Sequence, residues 1–222
     1  MSEEFIPFKH PTTFESDQAL IEASKLLDTN MQSRRSVRKF SDRPIPEDVI
    51  QNLIRIASSA PSGAHKQPWH FAVISSVDIK QKIREAAEKE EYTNYHGRMS
   101  EEWLDDLKQF GTDWHKDFLT IAPYLVVIFK KSYDIESTGE KSKNYYVNES
   151  VGIACGFLLA AIHQLGLVSL THTPSPMNFL TRLLDRPDNE KAYLLIPVGY
   201  PAEDATVPNI KRKPLAQVMT KY

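Results

Sequence analysis

The chain predicts an α+β fold, about four strands with helices packed around them, and three observations carry that expectation. The run YLVVIF at 124–129 is apolar without interruption, as a strand covered on both faces must be. AYLLIPVGY at 192–200 repeats that signature, and EDVIQNLIRIA at 47–57 places Val49, Ile50, Leu53, Ile54 and Ala57 at helical spacing.

Between these landmarks the order can be followed. Residues 18–33 read as an amphipathic helix with Ala19, Leu20, Ala23, Leu26 and Leu27 on one stripe. Pro46, Glu47 and Asp48 mark the first turn of the next helix, and Pro61-Ser62-Gly63 stops it. A strand HFAVIS follows at 70–75, then a charged helix over 78–91 whose inward residues are Ile83, Ala86 and Ala87. Residues 92–113 have poor periodicity, scattered aromatics and one short helical stretch around SEEWLDDLKQF, which makes them the candidate lid. Helical periodicity is expected to resume over 114–119. The segment 151–167, VGIACGFLLAAIHQLGL, reads as a buried helix, and LVSL at 167–170 as a strand, with a short helix through Phe179, Leu180, Leu183 and Leu184 before the last strand. No solenoid or propeller repeat is visible.

With 222 residues, 41% hydrophobic and 25% charged, the chain suits a single globular domain over 1–222. A net charge of −2 offers no general attraction for nucleic acid or an anionic membrane, so recognition of charge must be local and the partner small. The apolar run at 151–167 is broken by His163 and Gln164 and is shorter than the ~20 residues of a membrane span. MSEEFIPFKH has no signal-peptide pattern, and a lone cysteine, Cys155, leaves no internal disulfide or thiolate cluster; a cytoplasmic protein is expected. Its histidines form no HExxH-like spacing, so no metal is expected. Gly152 and Gly156 in GIACG permit close helix approach, at a subunit interface or in an ordinary core.

Two clusters carry candidate chemistry. Arg34, Arg35, Ser36 and Arg38 in RRSVR are either a solvated basic turn or a phosphate site, since guanidinium forks match phosphate oxygens in paired hydrogen bonds. In EEYTNY, Glu91 and Tyr95 stand four apart and share a face if the helix continues. Read alone, such charges are as readily a solvated surface of small value. Tyr92 is undecided. No GxGxxG or GxxxxGK[ST] is present, which leaves Rossmann and P-loop nucleotide binding unsupported.

Taken together, RRSVRKFSDRPIPEDVIQNLIRIASSAPSGAHKQPWHFAVI, the later IPVGY and the C-terminal KRKPL resemble the nitroreductase superfamily, from about Ser33 to the C-terminus. The resemblance implies an FMN-binding fold with a central, mostly antiparallel sheet surrounded by helices, and an intertwined homodimer with flavin sites at the interface. It places Arg34, Arg35, Ser36 and Arg38 on the FMN phosphate and ribityl chain, completed by Arg212, and puts Ser62 and Gly63 beside the flavin. Thr171 and Thr173 fall at a strand end, where the Thr173 hydroxyl would donate to flavin N5 as the catalytic group and favour single-electron steps over hydride transfer. Read alone, Pro-Ser-Gly is equally a helix stop and a threonine before proline is unremarkable.

In APSGAHKQPWHF, EEYTNYHGRMSEEWLDDL, DWHKDFL and ATVPNIKRKPL the chain is similar to the halotyrosine-dehalogenating branch of that superfamily. That similarity implies that Glu91, Tyr95 and Lys116 grasp the zwitterion of an iodinated tyrosine, with the Ala64 backbone N–H and a ribityl hydroxyl receiving its phenolate oxygen. Products would be tyrosine and halide, with electrons from NAD(P)H or a separate reductase. The competing reading is an NAD(P)H-dependent nitroreductase or flavin reductase of the same superfamily. Two departures stand out: vertebrate members of the branch carry an N-terminal membrane anchor where this chain begins with a polar segment, and His172 stands where they usually have a hydroxyl residue.

Overall fold

In the computed structural model, which describes residues 6–222, the chain parts into two compact units that meet in sequence at Arg34 and Arg35. The first is dominated by α1 (Asp17–Ser33), capped by Ser16, whose Oγ accepts from the Ala19 N–H at 3.2 Å. None of its side chains is buried; on its predicted stripe Ala19 and Ala23 are half-buried, while the leucines are uncovered, with Leu26 73% exposed.

The second unit, from Arg35 onward, is built on an antiparallel sheet of four strands in the order β1 (Trp69–Ile74), β2 (Tyr124–Lys131), β6 (Glu190–Gly199) and β5 (Val168–Ser169). Its helices are α2 (Glu47–Ser58), α3 (Val77–Thr93), α4 (Glu101–Lys108), α5 (Phe118–Ile121), α6 (Val147–Gln164) and α7 (Asn178–Leu183). Strand β2 explains the two-sided core by its alternation. Val126 and Ile128 face the cluster made with α2 and α6, whereas Leu125, Val127 and Phe129 face the one made with α3, α5 and α7. An apolar run of YLVVIF is thus required by geometry, since every residue from Leu125 to Phe129 is at most 1% exposed.

Four elements differ from expectation. Over 114–119 no continuous helix forms; only Phe118–Ile121 is helical. The reason lies in the backbone donors: the His115 N–H goes to Asp113 Oδ1 at 2.8 Å and the Lys116 N–H to Glu88 Oε1 at 2.7 Å, a side-chain turn that competes with helix. Helix α6 begins before the apolar run, because Tyr146 adopts a left-handed φ of 48° and the polar turn Asn148, Glu149, Ser150 follows it. The hairpin β3 (Tyr133–Ile135) and β4 (Lys141–Lys143) was not expected, being short and polar with its turn at Gly139. Strand β5 is cut to two residues, after which His172 alone bridges back to Leu195.

The Pro-Ser-Gly turn is locked to α6. The Gly63 N–H donates to Ser150 Oγ at 3.3 Å and Ser62 Oγ accepts from the Gln67 N–H at 2.9 Å. Ala64, His65 and Gln67 all adopt positive φ, a concentration of strain that the surrounding bonds must hold. Among the described residues no helix is long and apolar enough to cross a membrane, and no group of three His, Cys, Asp or Glu side chains could hold a metal.

A Cβ on Gly63 would lie 2.9 Å from the Tyr145 carbonyl oxygen and 2.9 Å from the Tyr146 ring. Gly63→Ala should therefore destabilise the protein by about 1–3 kcal/mol, read as a lowered urea midpoint with an unchanged slope. A midpoint equal to the parent's would show that the two tyrosines move aside freely.

Candidate active site

The inward stripe of α3 is Lys80, Ile83, Ala87 and Glu91. Glu91 is therefore the last buried residue of a helix face, 7% exposed, at the rim of the core rather than in solvent. Past Thr93 the chain makes a π-turn over Asn94–Arg98, which carries Tyr95 round to the same side. Asn94 anchors this turn, its Nδ2 donating to the Ser175 carbonyl at 2.9 Å. The Tyr95 hydroxyl donates to the Thr112 carbonyl at 3.3 Å.

Lys116 arrives from the loop before α5. Glu88 fixes that loop, accepting from the Lys116 N–H and, at 2.8 Å, from Arg84 Nε, while the Arg84 guanidinium also pairs with Asp117. The Lys116 ammonium is bonded to the Asp113 carbonyl, lies 3.9 Å from Glu91 Oε2 and sits 5.6 Å from the centre of the Tyr95 ring. At 4% exposure it is a buried cation facing a buried anion. Burial raises the Glu91 pKa, with Lys116 acting against it, and burial lowers the Lys116 pKa, opposed by Glu91 and Asp113.

These groups surround a cavity of about 230 Å³. The wall holds Arg38, Glu91, Tyr95, Lys116, Thr171 and Thr173. Sequence reasoning gave no role to its apolar lining, Met99, Trp103, Leu107, Phe118 and Leu170, nor to Thr112. The residues after β5 reach it because β5 ends early, leaving Thr171 and Thr173 exposed on either side of buried His172. Arg38 comes from the extended segment beside β5, where Ser36 bridges Ser169 and the Val37 N–H donates to the Ser169 carbonyl at 3.1 Å. Its pKa is lowered by burial, and its guanidinium lies 5.7 Å from the centre of the Phe110 ring.

The other expected cofactor residues, and Ala64 of the expected substrate set, do not line this cavity. Arg35 bonds to the Pro208 carbonyl, Ser62 and Ala64 lie in the strained turn before β1, and Arg212 is exposed in the C-terminal segment. Arg34 closes α1, its N–H donating to the Met31 carbonyl at 3.2 Å, and belongs to the N-terminal unit.

Tyr92 acquires a place as well. Its ring stacks on His96 at 4.0 Å and meets Trp114 edge-on at 5.3 Å, linking the end of α3 to the loop that carries Lys116. No spacing rule pairs residues 92 and 114, so the sequence alone could not supply this link.

Residues 31–200 match the model of the Nitroreductase family, and the chain belongs to that family. It is 61% identical over 218 residues to an iodotyrosine deiodinase of Haliscomenobacter hydrossis, covering 98% of this chain and 97% of that protein. Against human iodotyrosine deiodinase 1 the identity is 46%, over 97% of this chain and 74% of the human one. Among solved structures, an oxidised iodotyrosine deiodinase bound to FMN and 3-iodo-L-tyrosine superposes with a TM-score of 0.75 at 30% identity, over 88% of this chain and 98% of that one. A Bacteroides fragilis nitroreductase with bound FMN, 20% identical over 88% of this chain and 98% of that one, shares the fold with a TM-score of 0.65.

Lys116→Met would leave Glu91 as a buried carboxylate without its cation. A loss of about 3 kcal/mol is expected at pH 7.5. Because the folded-state pKa of Glu91 is raised, the carboxylate takes up a proton first in the folded protein as pH falls, so the deficit should shrink toward pH 5. Denaturation of parent and variant at both pH values checks this; an equal deficit at each would assign the loss to packing.

Proposed function

We propose that the chain catalyses FMN-dependent reductive deiodination of mono- and diiodotyrosine, and of other halotyrosines, to tyrosine and halide. The observation that carries the reading is one buried anion and one buried cation on the wall of one small cavity, beside a tyrosine. The cavity falls below the roughly 300–1,000 Å³ of drug-sized ligands, which suits a single amino acid. A substrate ammonium would replace Lys116 as the partner of Glu91, and a substrate carboxylate would take the Lys116 ammonium. The apolar wall of Trp103, Leu107, Phe118 and Leu170 offers cover for a halogenated ring. A general nitro or flavin reductase has no use for such a pair.

The residues present fit FMN by their chemistry. Arg38, Thr171 and Thr173 put positive charge and hydroxyls on the cavity wall, and Arg35 and Ser36 lie on the same extended segment. Arg34 and Arg212 join this set through the family pattern, as does Ser62 in the strained turn. When bound, the flavin supplies the two electrons that, with one proton, replace the halogen on the ring carbon. Thr173 is assigned to hold a proton at the flavin edge, and the Ala64 N–H to receive the phenolate oxygen. Glu91, Tyr95 and Lys116 orient the substrate, and residues 92–113 act as a lid whose closure excludes water.

A homodimer is part of this reading. It is supported by the uncovered Leu20, Leu26 and Leu27 of α1 and by Ile153 and Phe157 on α6, all at least 40% exposed. NAD(P)H or a separate reductase would be the electron source, in the cytoplasm. Cys155 has no part, since burial pushes its thiol to about 12.

The test is direct. Yellow holoprotein reduced anaerobically with dithionite should release iodide from 3-iodotyrosine. Glu91→Gln should keep FMN while raising the substrate Kd by about tenfold or more, followed by flavin fluorescence. Unchanged affinity in that variant would remove the zwitterion clamp, and a protein unable to bind FMN would remove the flavin chemistry.

A further inference from the structure

The Glu91 carboxylate approaches Lys116 through Oε2, at 3.9 Å. Its other oxygen, Oε1, faces His172, whose Nδ1 stands 4.0 Å away. The imidazole has little freedom. Its backbone is pinned on both sides, with the His172 N–H donating to the Leu195 carbonyl at 2.9 Å and the Leu195 N–H to the His172 carbonyl at 3.0 Å. Phe118 meets the ring edge-on at 5.5 Å, and the side chain is 8% exposed. Among the described residues nothing bonds to its buried Nε2.

The tautomer follows from these contacts. A proton on Nε2 would bury an unsatisfied N–H and turn the Nδ1 lone pair toward a carboxylate, which is repulsive. With the proton on Nδ1, a donor faces Glu91 and only a lone pair goes unmatched at Nε2, the lesser cost. Protonating both is opposed by burial and by the cations of Lys116 and Arg38, which bring the pKa to about 3.

We infer that His172 is a positioning residue for the ammonium-binding carboxylate: its neutral ring directs Nδ1–H at Glu91 Oε1 and holds that oxygen when Lys116 turns to the substrate's carboxylate. The inference rests on the halotyrosine reading and deepens it. The present separation exceeds a hydrogen bond, and a shift of about 1 Å closes it. Such a shift is available to Glu91, near the end of α3 where the helix gives way to the π-turn. Facing the carboxylate are Lys116 from the loop before α5, His172 from the loop after β5 and Tyr95 from the π-turn, with Arg38 and Asp113 acting on Lys116 from behind. Removing the His172 donor leaves Glu91 more reluctant to ionise, so ligand binding should fail at a higher pH than in the parent.

Oxidised holoprotein is titrated with 3-iodotyrosine and with 2-iodophenol, which lacks the amino-acid end, between pH 5 and 8. His172→Leu should raise the iodotyrosine Kd about tenfold at pH 7 and move the acid limb of affinity to higher pH. Iodophenol and FMN binding should be unchanged, and His172→Gln, which keeps a donor, should restore much of both effects. In the parent, ¹⁵N spectra should show a pyrrole-type Nδ1 and a pyridine-type Nε2 for His172. An unchanged Kd and acid limb in His172→Leu, or a proton found on Nε2, overturns the inference. A parent protein that takes up FMN but no iodotyrosine instead overturns the substrate reading beneath it.

Discussion

A carboxylate and an ammonium buried 3.9 Å apart, Glu91 and Lys116, are the constraint on which the site depends. Desolvating both costs several kcal/mol, and at that separation their attraction offsets only part of it. The surroundings supply the rest in pieces: the Asp113 carbonyl on the ammonium, Glu88 on the Lys116 N–H, and Arg84 bracing Glu88. Such a pair is a poor way to stabilise a fold and a good way to recognise a zwitterion, because a ligand bearing both charges can satisfy each half more closely than they satisfy one another. The scaffold keeps two opposite charges apart and half-paired, and in the proposed function a substrate would complete them.

The fold's contribution is to bring three remote segments to one place. Helix α3 sends its inward stripe one turn past the core to Glu91; the π-turn then swings Tyr95 in behind it. The broken helix before α5 delivers Lys116, and the early end of β5 delivers Thr171, His172 and Thr173. Each delivery is an irregularity: a π-turn, a side-chain turn at Asp113 and a truncated strand. Regular elements build the two core clusters, and their departures from regularity build the cavity.

That division explains what could be read from the sequence. The sheet and the helices around it follow from periodicity, since YLVVIF, AYLLIPVGY and the stripe of α2 answer to burial on known faces. The site residues came instead from the family pattern, and the structure gathers Arg38, Glu91, Tyr95, Lys116, Thr171 and Thr173 round one cavity. Ser62 and Ala64 do not line it. What the sequence could not show is what local rules do not encode: that donors from residues 115 and 116 leave the helix for Asp113 and Glu88, that Tyr92 packs on Trp114, and that His172 faces Oε1 of Glu91. The tyrosines of EEYTNY are thus a packing residue and a site residue side by side, a distinction made by a turn rather than by residue type.

The central claim is that recognition rests on both ends of the zwitterion, and varying the ligand while leaving the protein intact tests it most directly. Calorimetric titration of oxidised holoprotein should rank 3-iodotyrosine far above 3-iodotyramine, which lacks the carboxylate, and above N-acetyl-3-iodotyrosine, which lacks the ammonium, with each deletion costing about 2 kcal/mol or more. Three ligands of equal affinity would mean that the ring alone is recognised, and that Glu91 and Lys116 form only a structural pair.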